Sequence, residues 1–306
     1  KEIQKEEELI AKDLKQYETK DAITPDGIAV KLFVNTGLMI DVVRGVQRGA
    51  KGVGLYRSEI PFMLRDRFPG DPRYKGKHIP AFEMIKFSVN THRGCFGGCN
   101  FCTIAAHQGK FIQSRSEESI LKEISALNEL PGYSGNISDV GAPTANMYGM
   151  KGKDQELCAK CRRKSCLFPS PCRNMDRSHA RLLDLYDRIS KVKGIRHAYI
   201  GSGIRYDLFL DEKGFVDETS YPYLKELILE HTSGRLKVAP EHTEDSVLKL
   251  MAKPSFRLFE RLRMEFDNIV ATSGRKCELV PYFISSHPGC GMREMQRLAR
   301  NPALQG

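Results

Sequence analysis

The sequence has no apolar run that approaches the roughly 20 residues needed to cross a bilayer. Its first eight residues, Lys1 to Glu8, are mostly polar and charged, and they lack the apolar core of a secretory signal peptide. These absences argue against a membrane-spanning or secreted protein and predict a soluble, cytoplasmic one. The chain also begins without Met, which indicates a trimmed or fragmentary sequence.

No nucleic-acid recognition motif accompanies the basic charge of the chain. Lys and Arg number 48 against 38 Asp and Glu, a net charge of +10, yet the basic residues are scattered. A balance of this size is compatible with anionic ligands, but without a motif nucleic-acid binding is not expected. With 306 residues, 41% of them apolar, the chain is long enough for one large domain or two smaller ones.

Nine cysteines in a chain without a secretion signal favour metal binding over disulfides. Seven of them fall into two clusters, within residues 95–102 and 158–172. Cys277 and Cys290 stand alone, and we predict that they are structural because an isolated Cys behaves as a small buried hydrophobe.

The first cluster consists of Cys95, Cys99 and Cys102, with the spacing C-x3-C-x2-C. Three thiolates can hold three irons of a cubane iron–sulfur cluster and leave the fourth iron open to a small molecule. The alternative is zinc, which prefers four protein ligands in a closed structural site. His92 or His107 would then supply the fourth ligand.

The second cluster is a set of four cysteines within a short basic segment, Cys158, Cys161, Cys166 and Cys172. Four thiolates suit zinc or an auxiliary iron–sulfur cluster. The neighbouring Lys and Arg residues at 160–164 would lower the thiol pKa values and offset the thiolate charge. The alternative interpretation is a group of free thiols.

From residue 85 onward, short apolar strands alternate with helices, which predicts an α/β barrel or an open α/β sheet of parallel strands. Their mostly apolar composition predicts that each strand is buried on both faces. The predicted strands are 85–90, 136–140, 197–201, 236–239 and 279–284. The predicted helices are 116–130, 178–192, 221–231, 244–251 and 256–270. The series ends as if a sixth strand and helix were missing. In a barrel, function lies at the C-terminal ends of the strands, and Cys95 follows the first strand.

The residues before about 70 have a different pattern. A charged helix to about residue 17 precedes a Thr-Pro-Asp-Gly turn signal and a small βαβ unit, with strands at 30–34 and 52–56 and a helix at 38–48. The segment 69–80 is rich in Gly, Pro and charge, so it predicts a boundary between two domains, 1–70 and 71–306.

The first cysteine cluster, with Phe101 just before its last member, resembles the signature of the radical S-adenosylmethionine (radical SAM) superfamily. The wider sequence resembles YgiQ-like radical SAM proteins over residues 74–289. The segments that carry this resemblance are 79–90, 93–99, 139–148, 201–207, 239–243 and 281–283. It implies an α/β fold built as a partial, C-terminally truncated (β/α)6-type radical SAM barrel.

The resemblance also implies cofactors and the residues that bind them. Cys95, Cys99 and Cys102 are expected to hold a 4Fe-4S cluster whose open iron binds SAM. One electron from the cluster, supplied by a donor such as flavodoxin or ferredoxin, would cleave SAM to methionine and a 5′-deoxyadenosyl radical, which abstracts hydrogen from a substrate. The residues expected to contact SAM are Phe101, Gly141, Ala142, Pro143, Gly203 and Arg205.

A second resemblance covers residues 26–69, which are expected to be fused to the rest. Segments 26–37 and 48–59 resemble enzyme I of the sugar phosphotransferase system, and more narrowly its nitrogen-system relative, phosphoenolpyruvate–protein phosphotransferase. Arg57 matches the arginine that binds phosphoenolpyruvate there, and a guanidinium suits bidentate phosphate contact. The phosphorylated histidine, magnesium-binding carboxylates and catalytic cysteine of that family have no counterpart here, so Arg57 is expected to be vestigial.

The leading hypothesis is therefore a radical SAM enzyme of unknown substrate. The rival enzyme hypothesis is phosphoenolpyruvate-dependent phosphotransfer by the N-terminal fragment. The non-enzymatic rival is a zinc-bound structural or nucleic-acid-binding module that uses both cysteine clusters. Glu241 and His242, at the end of the fourth strand, are expected either to face the active site or to be structural.

Overall fold

The computed structural model describes residues 22–36, 43, 45–47, 49–56, 85–301 and 304. The chain separates into two units, Lys1–Ile79 and Pro80–Gly306. The predicted N-terminal helix and Arg57 lie outside the described residues. No helix in the described part is long and apolar enough to cross a membrane.

The first unit contains a parallel pair of short strands, β1 (Val34–Thr36) and β2 (Val53–Tyr56). Residues 45–47, between the two strands, are helical. The Thr-Pro-Asp-Gly turn is present, because Gly27 donates its N–H to the Thr24 carbonyl at 2.8 Å with a φ of 85°.

The second unit has ten short strands in its described part. They are β3 (Ser88–Asn90), β4 (His92–Arg93), β5 (Gln113–Ser114), β6 (Asn136–Ile137), β7 (Asp139–Gly141), β8 (His197–Ala198), β9 (Leu210–Asp211), β10 (Gly214–Phe215), β11 (Arg235–Glu241) and β12 (Glu278–Phe283). Two antiparallel pairs, β4 with β5 and β9 with β10, were not predicted from the sequence.

Eight α-helices lie between and after these strands in the described part of the second unit. They are α1 (Ile104–Gln108), α2 (Glu117–Ala126), α3 (Gln155–Ala159), α4 (Ala180–Ser190), α5 (Ser220–Leu229), α6 (Asp245–Met251), α7 (Phe256–Ser273) and α8 (Met292–Ala299). Short 3-10 turns occur at Leu127–Glu129, Ala145–Met147 and Tyr206–Leu208.

The predicted strands pair in parallel with their neighbours in chain order. β3 pairs with β7, β6 with β8, and β11 with β12. Ile204, just after β8, forms a parallel bridge to Val238 in β11. Within the described residues these pairings do not close into a ring, so the barrel stays a prediction.

Each long helix buries one face at the three- and four-residue spacing of an amphipathic helix. The buried residues of α4 are Leu182, Leu185, Tyr186 and Ile189. The buried residues of α7 are Phe256, Phe259, Leu262, Phe266 and Ile269. Full burial of such a side chain contributes about 1.5–3 kcal/mol. The expected burial of every strand on both faces was wrong for β12, which has no buried residue and pairs only with β11 among the described strands.

Candidate metal and cofactor site

The predicted site residues of the second unit lie at one edge of the parallel strands. The first cysteine loop, residues 94–102, follows β3 and β4, while Gly141 ends β7, Arg205 follows β8 and Glu241 ends β11. Because neighbouring parallel strands end at the same edge, segments that are far apart in sequence meet there.

Glycines determine the path of the first cysteine loop. Gly94 has a φ of 93° and Gly98 a φ of 58°, in the region that side-chain-bearing residues rarely adopt. A Cβ at Gly94 would overlap the carbonyl oxygen of Phe111, and a Cβ at Gly98 would lie 3.0 Å from the Cα of Ser165. The loop is therefore pressed against two other segments, and at both positions only glycine fits without strain.

The three thiols of this loop differ in exposure. Cys95 is buried, whereas Cys99 and Cys102 are half-buried. The Cys95 Sγ accepts the N–H of Gly97 at 3.3 Å and lies 3.5 Å from the hydroxyl of Thr144. Burial, supported by the neighbouring thiols, raises the pKa of Cys102. One end of the loop thus opens towards solvent while the other is anchored in the interior.

Arg205 reaches the same loop from the segment after β8. Its Nη1 donates to the Cys99 Sγ at 3.2 Å, and its Nε and Nη2 bind the Asp207 carboxylate at 2.9 and 2.5 Å. The backbone of Arg205 is clamped by Asn146, which accepts its N–H and donates to its carbonyl, both at 2.9 Å. The sequence predicts that Arg205 contacts SAM, and in the structure its guanidinium contacts the thiol of Cys99.

Asp207 holds this guanidinium in place as a buried ion pair. Burial opposes ionisation of its carboxyl, but the adjacent Arg205 guanidinium outweighs burial and lowers the pKa of Asp207. Both side chains are almost inaccessible, at 8% and 9% exposure. The Asp207 carboxylate therefore fixes the position of the charged Arg205 guanidinium beside the thiols.

A second buried pair, Glu241 and Lys253, lies near the first. Their charged atoms are 3.8 Å apart, and the Lys253 ammonium also donates to the Ala239 carbonyl at 2.7 Å. Glu241 has a φ of 71°, which is strained for a residue with a side chain. Burial raises the pKa of Glu241, although Lys253 and Arg205 oppose this. The structure thus places Glu241 in a buried ion pair, and both interpretations of this residue stay open.

The other residues expected to contact SAM surround the loop unevenly. Gly141 and Ala142 are buried and Pro143 is half-buried. A Cβ at Gly141 would overlap the Asp139 carboxylate and the Ser202 hydroxyl, which join β7 to the segment after β8.

Gly203 and Phe101 are more open to solvent than these three residues. Gly203 is exposed, with nothing within 4 Å of an added Cβ. Phe101 is 37% exposed, and its ring lies edge-on to that of His287, with ring centroids 6.3 Å apart.

The histidines considered for zinc are not placed as a fourth ligand. His92 is buried, and both of its ring nitrogens are hydrogen-bonded, Nδ1 to the Thr91 hydroxyl at 3.0 Å and Nε2 to the Thr144 carbonyl at 3.1 Å. Burial lowers the pKa of His92 to about 4. His107 is exposed at the end of α1.

His242, which was expected either to face the active site or to be structural, contacts the Cys290 Sγ at 3.3 Å through Nε2.

Within the part of the chain that the structure describes, no three His, Cys, Asp or Glu side chains stand where they could hold one metal ion. This finding concerns a single ion shared by all ligands. A cubane cluster makes a different demand, because each thiolate binds its own iron.

The four cysteines of the second cluster lie on one closed loop. This second cysteine loop, residues 152–175, contains α3 and is closed by an antiparallel bridge between Gly152 and Met175. Cys166 is buried, and the other three cysteines are half-buried. A backbone N–H, that of Arg163, is the main cause that lowers the pKa of Cys161, followed by Lys110.

Known proteins match two parts of the chain. A UPF0313 protein of Bacteroides thetaiotaomicron is 54% identical over 230 residues, which are 74% of this chain and 37% of that protein. UPF0313 proteins of Porphyromonas gingivalis and Methanocella arvoryzae are 52% and 45% identical, over 74% and 76% of this chain and 36% and 37% of their own lengths. The chain is similar to UPF0313 proteins. It spans little more than a third of these relatives.

The other match lies at the N-terminal side. Residues 11–94 match the family described as PEP-utilising enzyme, PEP-binding domain. This match is longer than the resemblance to enzyme I at 26–69, and it ends at Gly94, the first residue of the first cysteine loop.

The residues of the first cysteine loop fit a cluster held by three thiolates. Three thiols share one glycine-rich loop, and a paired guanidinium contributes the positive charge that offsets theirs. Gly97 leaves the room for this contact, because a Cβ there would overlap Arg205 Nη1 and lie 3.3 Å from the Cys95 Sγ.

Several residues that hold this geometry were not predicted from the sequence. They are Asp139, Thr144, Asn146, Asp207 and Lys253. All but Lys253 lie inside the segments that carry the YgiQ-like resemblance, so their polarity next to apolar strands was the available signal. Nothing local indicates which polar side chain pairs with which.

Proposed function

We propose that residues 85–301 form the core of a radical SAM enzyme. Cys95, Cys99 and Cys102 would bind a 4Fe-4S cluster, and SAM would bind at the iron that these thiolates leave free. When bound, the cluster supplies the electron that cleaves SAM to begin hydrogen abstraction. The observation that carries the proposal is the contact of the Arg205 guanidinium with the Cys99 Sγ at the C-terminal edge of parallel strands.

The chain's own residues would position and insulate the cofactors. Arg205, held by Asp207 and Asn146, donates to a thiolate and offsets its charge. The buried Cys95 end excludes water, while the half-buried Cys99 and Cys102 end gives SAM access. Gly141, Ala142, Pro143, Gly203 and Phe101 would line the approach of SAM.

Further properties follow from the same proposal. The five parallel strand segments would belong to a partial (β/α)6-type barrel, as in YgiQ-like radical SAM proteins. The electron would come from a cytoplasmic donor such as flavodoxin or ferredoxin. Similarity to UPF0313 proteins supports this assignment to a family but specifies no substrate.

The test is anaerobic reconstitution with iron and sulfide, followed by reduction and incubation with SAM. We expect about four irons at the first cysteine loop and formation of 5′-deoxyadenosine. The matched control is the C95S/C99S/C102S variant, which should form none. A fully loaded wild-type protein that leaves SAM intact would contradict the proposal, and zinc without iron would favour the structural module instead.

Phosphoenolpyruvate-dependent phosphotransfer is the second candidate, because residues 11–94 match a PEP-binding domain. It predicts transfer of phosphate from labelled phosphoenolpyruvate to the chain or to an added protein. An R57A variant would lose this transfer and keep SAM cleavage, so the two activities can be separated.

A further inference from the structure

The second cysteine loop is a closed structural unit. Besides the bridge between its ends, Lys153 donates its N–H to the Asn174 carbonyl at 2.6 Å. Asp154 caps α3 by accepting the N–H groups of Glu156 and Leu157 at 2.9 and 3.1 Å. The first cysteine of the set, Cys158, therefore lies on a fixed helix at the base of the loop.

Backbone turns bring the cysteines together in two pairs. Cys161 donates its N–H to the Cys158 carbonyl at 3.1 Å, and Cys172 donates to the Cys166 carbonyl at 2.7 Å. In the arrangement that the structure describes, no three of these thiols surround a single ion, so binding of one metal ion requires the half-buried side chains of Cys158, Cys161 and Cys172 to rotate.

The surroundings suit thiolates that carry negative charge. Asn174 donates its side-chain N–H to the Cys158 Sγ at 3.3 Å, and the Lys110 ammonium lies 3.7 Å from the Cys161 Sγ. Donors of this kind stabilise metal-bound sulfur. Residues 152–175 also contain six Lys or Arg against two Asp or Glu, and this surplus offsets the net negative charge of four thiolates around a metal.

The second loop supports the back of the first. Cys166 donates its N–H to the Phe96 carbonyl at 3.0 Å, and the Ser165 hydroxyl donates to the Gly97 carbonyl at 2.6 Å. Cys95 and Cys166 belong to the same cluster of buried apolar residues. Ordering one loop therefore orders the other.

We propose that Cys158, Cys161, Cys166 and Cys172 form a second, four-thiolate metal site that braces the first cysteine loop. Four thiolates select a thiophilic centre, either a zinc ion or an iron–sulfur cluster. Such a site leaves no ligand position open, so its role is structural or electron-conducting and it does not bind SAM. It goes beyond the proposed function, which uses the first loop alone.

The test isolates each site in the full chain. The C95S/C99S/C102S variant retains the second site, and the C158S/C161S/C166S/C172S variant retains the first. Each is purified anaerobically and incubated with zinc alone or with iron and sulfide, and metal and sulfide are then measured per chain. The C277S/C290S variant is the matched control for loss of cysteines outside both sets.

The first variant should keep about one zinc or about four irons with sulfide, and the two incubations identify which. The proposal is overturned if it holds no more metal than a variant that lacks all seven cysteines. If circular dichroism shows that the first variant is unfolded, wild-type protein is compared with C161S, a change at a half-buried position. If wild-type protein and C161S then bind equal amounts of metal, the proposal is overturned. SAM cleavage by wild-type protein is read separately, so failure of the two proposals can be distinguished.

Discussion

The first cysteine loop is held by residues distant in sequence, whereas the second is held largely by its own neighbours. Arg205 contacts Cys99 across 106 positions of sequence, and Thr144 contacts Cys95 across 49. In the second loop, Asn174 contacts Cys158 across only 16 positions. The difference shows that the first site requires the assembled strands, while the second loop is closed by its own residues and reaches distant segments through Lys110, Phe96 and Gly97.

The largest expected effect concerns the thiol at the open end of the first loop. A Cys102→Ser change should abolish 5′-deoxyadenosine formation, because a hydroxyl is a poor ligand for the cluster iron. Cys277→Ser, outside both cysteine loops, should leave it unchanged. Product from the Cys102→Ser protein at the wild-type rate would show that this thiol is not a ligand.

The next effect tests the distant partner of the first loop. Asp207→Asn leaves the buried Arg205 charge without its carboxylate, so the free energy of unfolding should fall by about 3–5 kcal/mol in urea titrations. The control is Asp187→Asn, which breaks an exposed pair with Lys191 and should cost less than about 1 kcal/mol. Equal losses in both variants would mean that the buried pair does not stabilise the fold.

The pH dependence of stability tests how the first loop is anchored through His92. Its pKa is 6.5 when exposed and about 4 in the folded protein, so between these values the unfolded chain binds a proton that the folded chain does not. Stability should fall as the pH drops from 6.5 to 4, by up to about 3 kcal/mol.

Urea unfolding of wild-type protein and of His92→Gln between pH 6.5 and 4 measures this loss of stability. The control is a change of the exposed histidine, His107→Gln. If the free energy of unfolding depends on pH in the same way in wild type and His92→Gln, His92 is not a buried neutral ring.

A smaller effect is expected from two glycines that differ in the space around them. Gly97→Ala should destabilise the protein by about 1–3 kcal/mol and slow reconstitution, because the added Cβ would overlap Arg205. Gly203→Ala should be nearly neutral, since nothing lies within 4 Å of its added Cβ. Thermal melts and rates of iron uptake are measured for both variants. Equal melting temperatures and equal uptake rates would show that Gly97 has no steric role.

The smallest effect concerns the second loop. In metal-free protein Cys161 should be alkylated faster than Cys166, since the pKa of Cys161 is lowered and burial raises that of Cys166. Lys110→Met should slow alkylation of both thiols, because Lys110 lowers the pKa of each, and Cys161 should stay the faster because the Arg163 N–H remains. Mass spectrometry of alkylated peptides measures both rates. Faster alkylation of Cys166 than of Cys161 would contradict the expected order of their pKa values.

Much of the candidate site could be predicted from the sequence because its signals are local. Cysteine spacing indicates thiolate ligands at 95–102, and the alternation of apolar strands and helices indicates parallel strands with the loop at their C-terminal edge. The pairings of β3 with β7 and of β11 with β12 agree with that expectation. The burial of β12 was misjudged, since it depends on which elements cover a strand.

The sequence by itself determined where the thiols cluster, the basic character of the second loop and the buried faces of the helices, because these depend on residue type and on spacing within a few turns. Only the tertiary structure decided that Arg205 meets Cys99, that Asp207 binds the Arg205 guanidinium inside the protein and that His92 has no free nitrogen for zinc. These contacts join segments from different strand ends. Which residues meet in these contacts depends on where the folded strands place each segment, and no local sequence pattern predicts that.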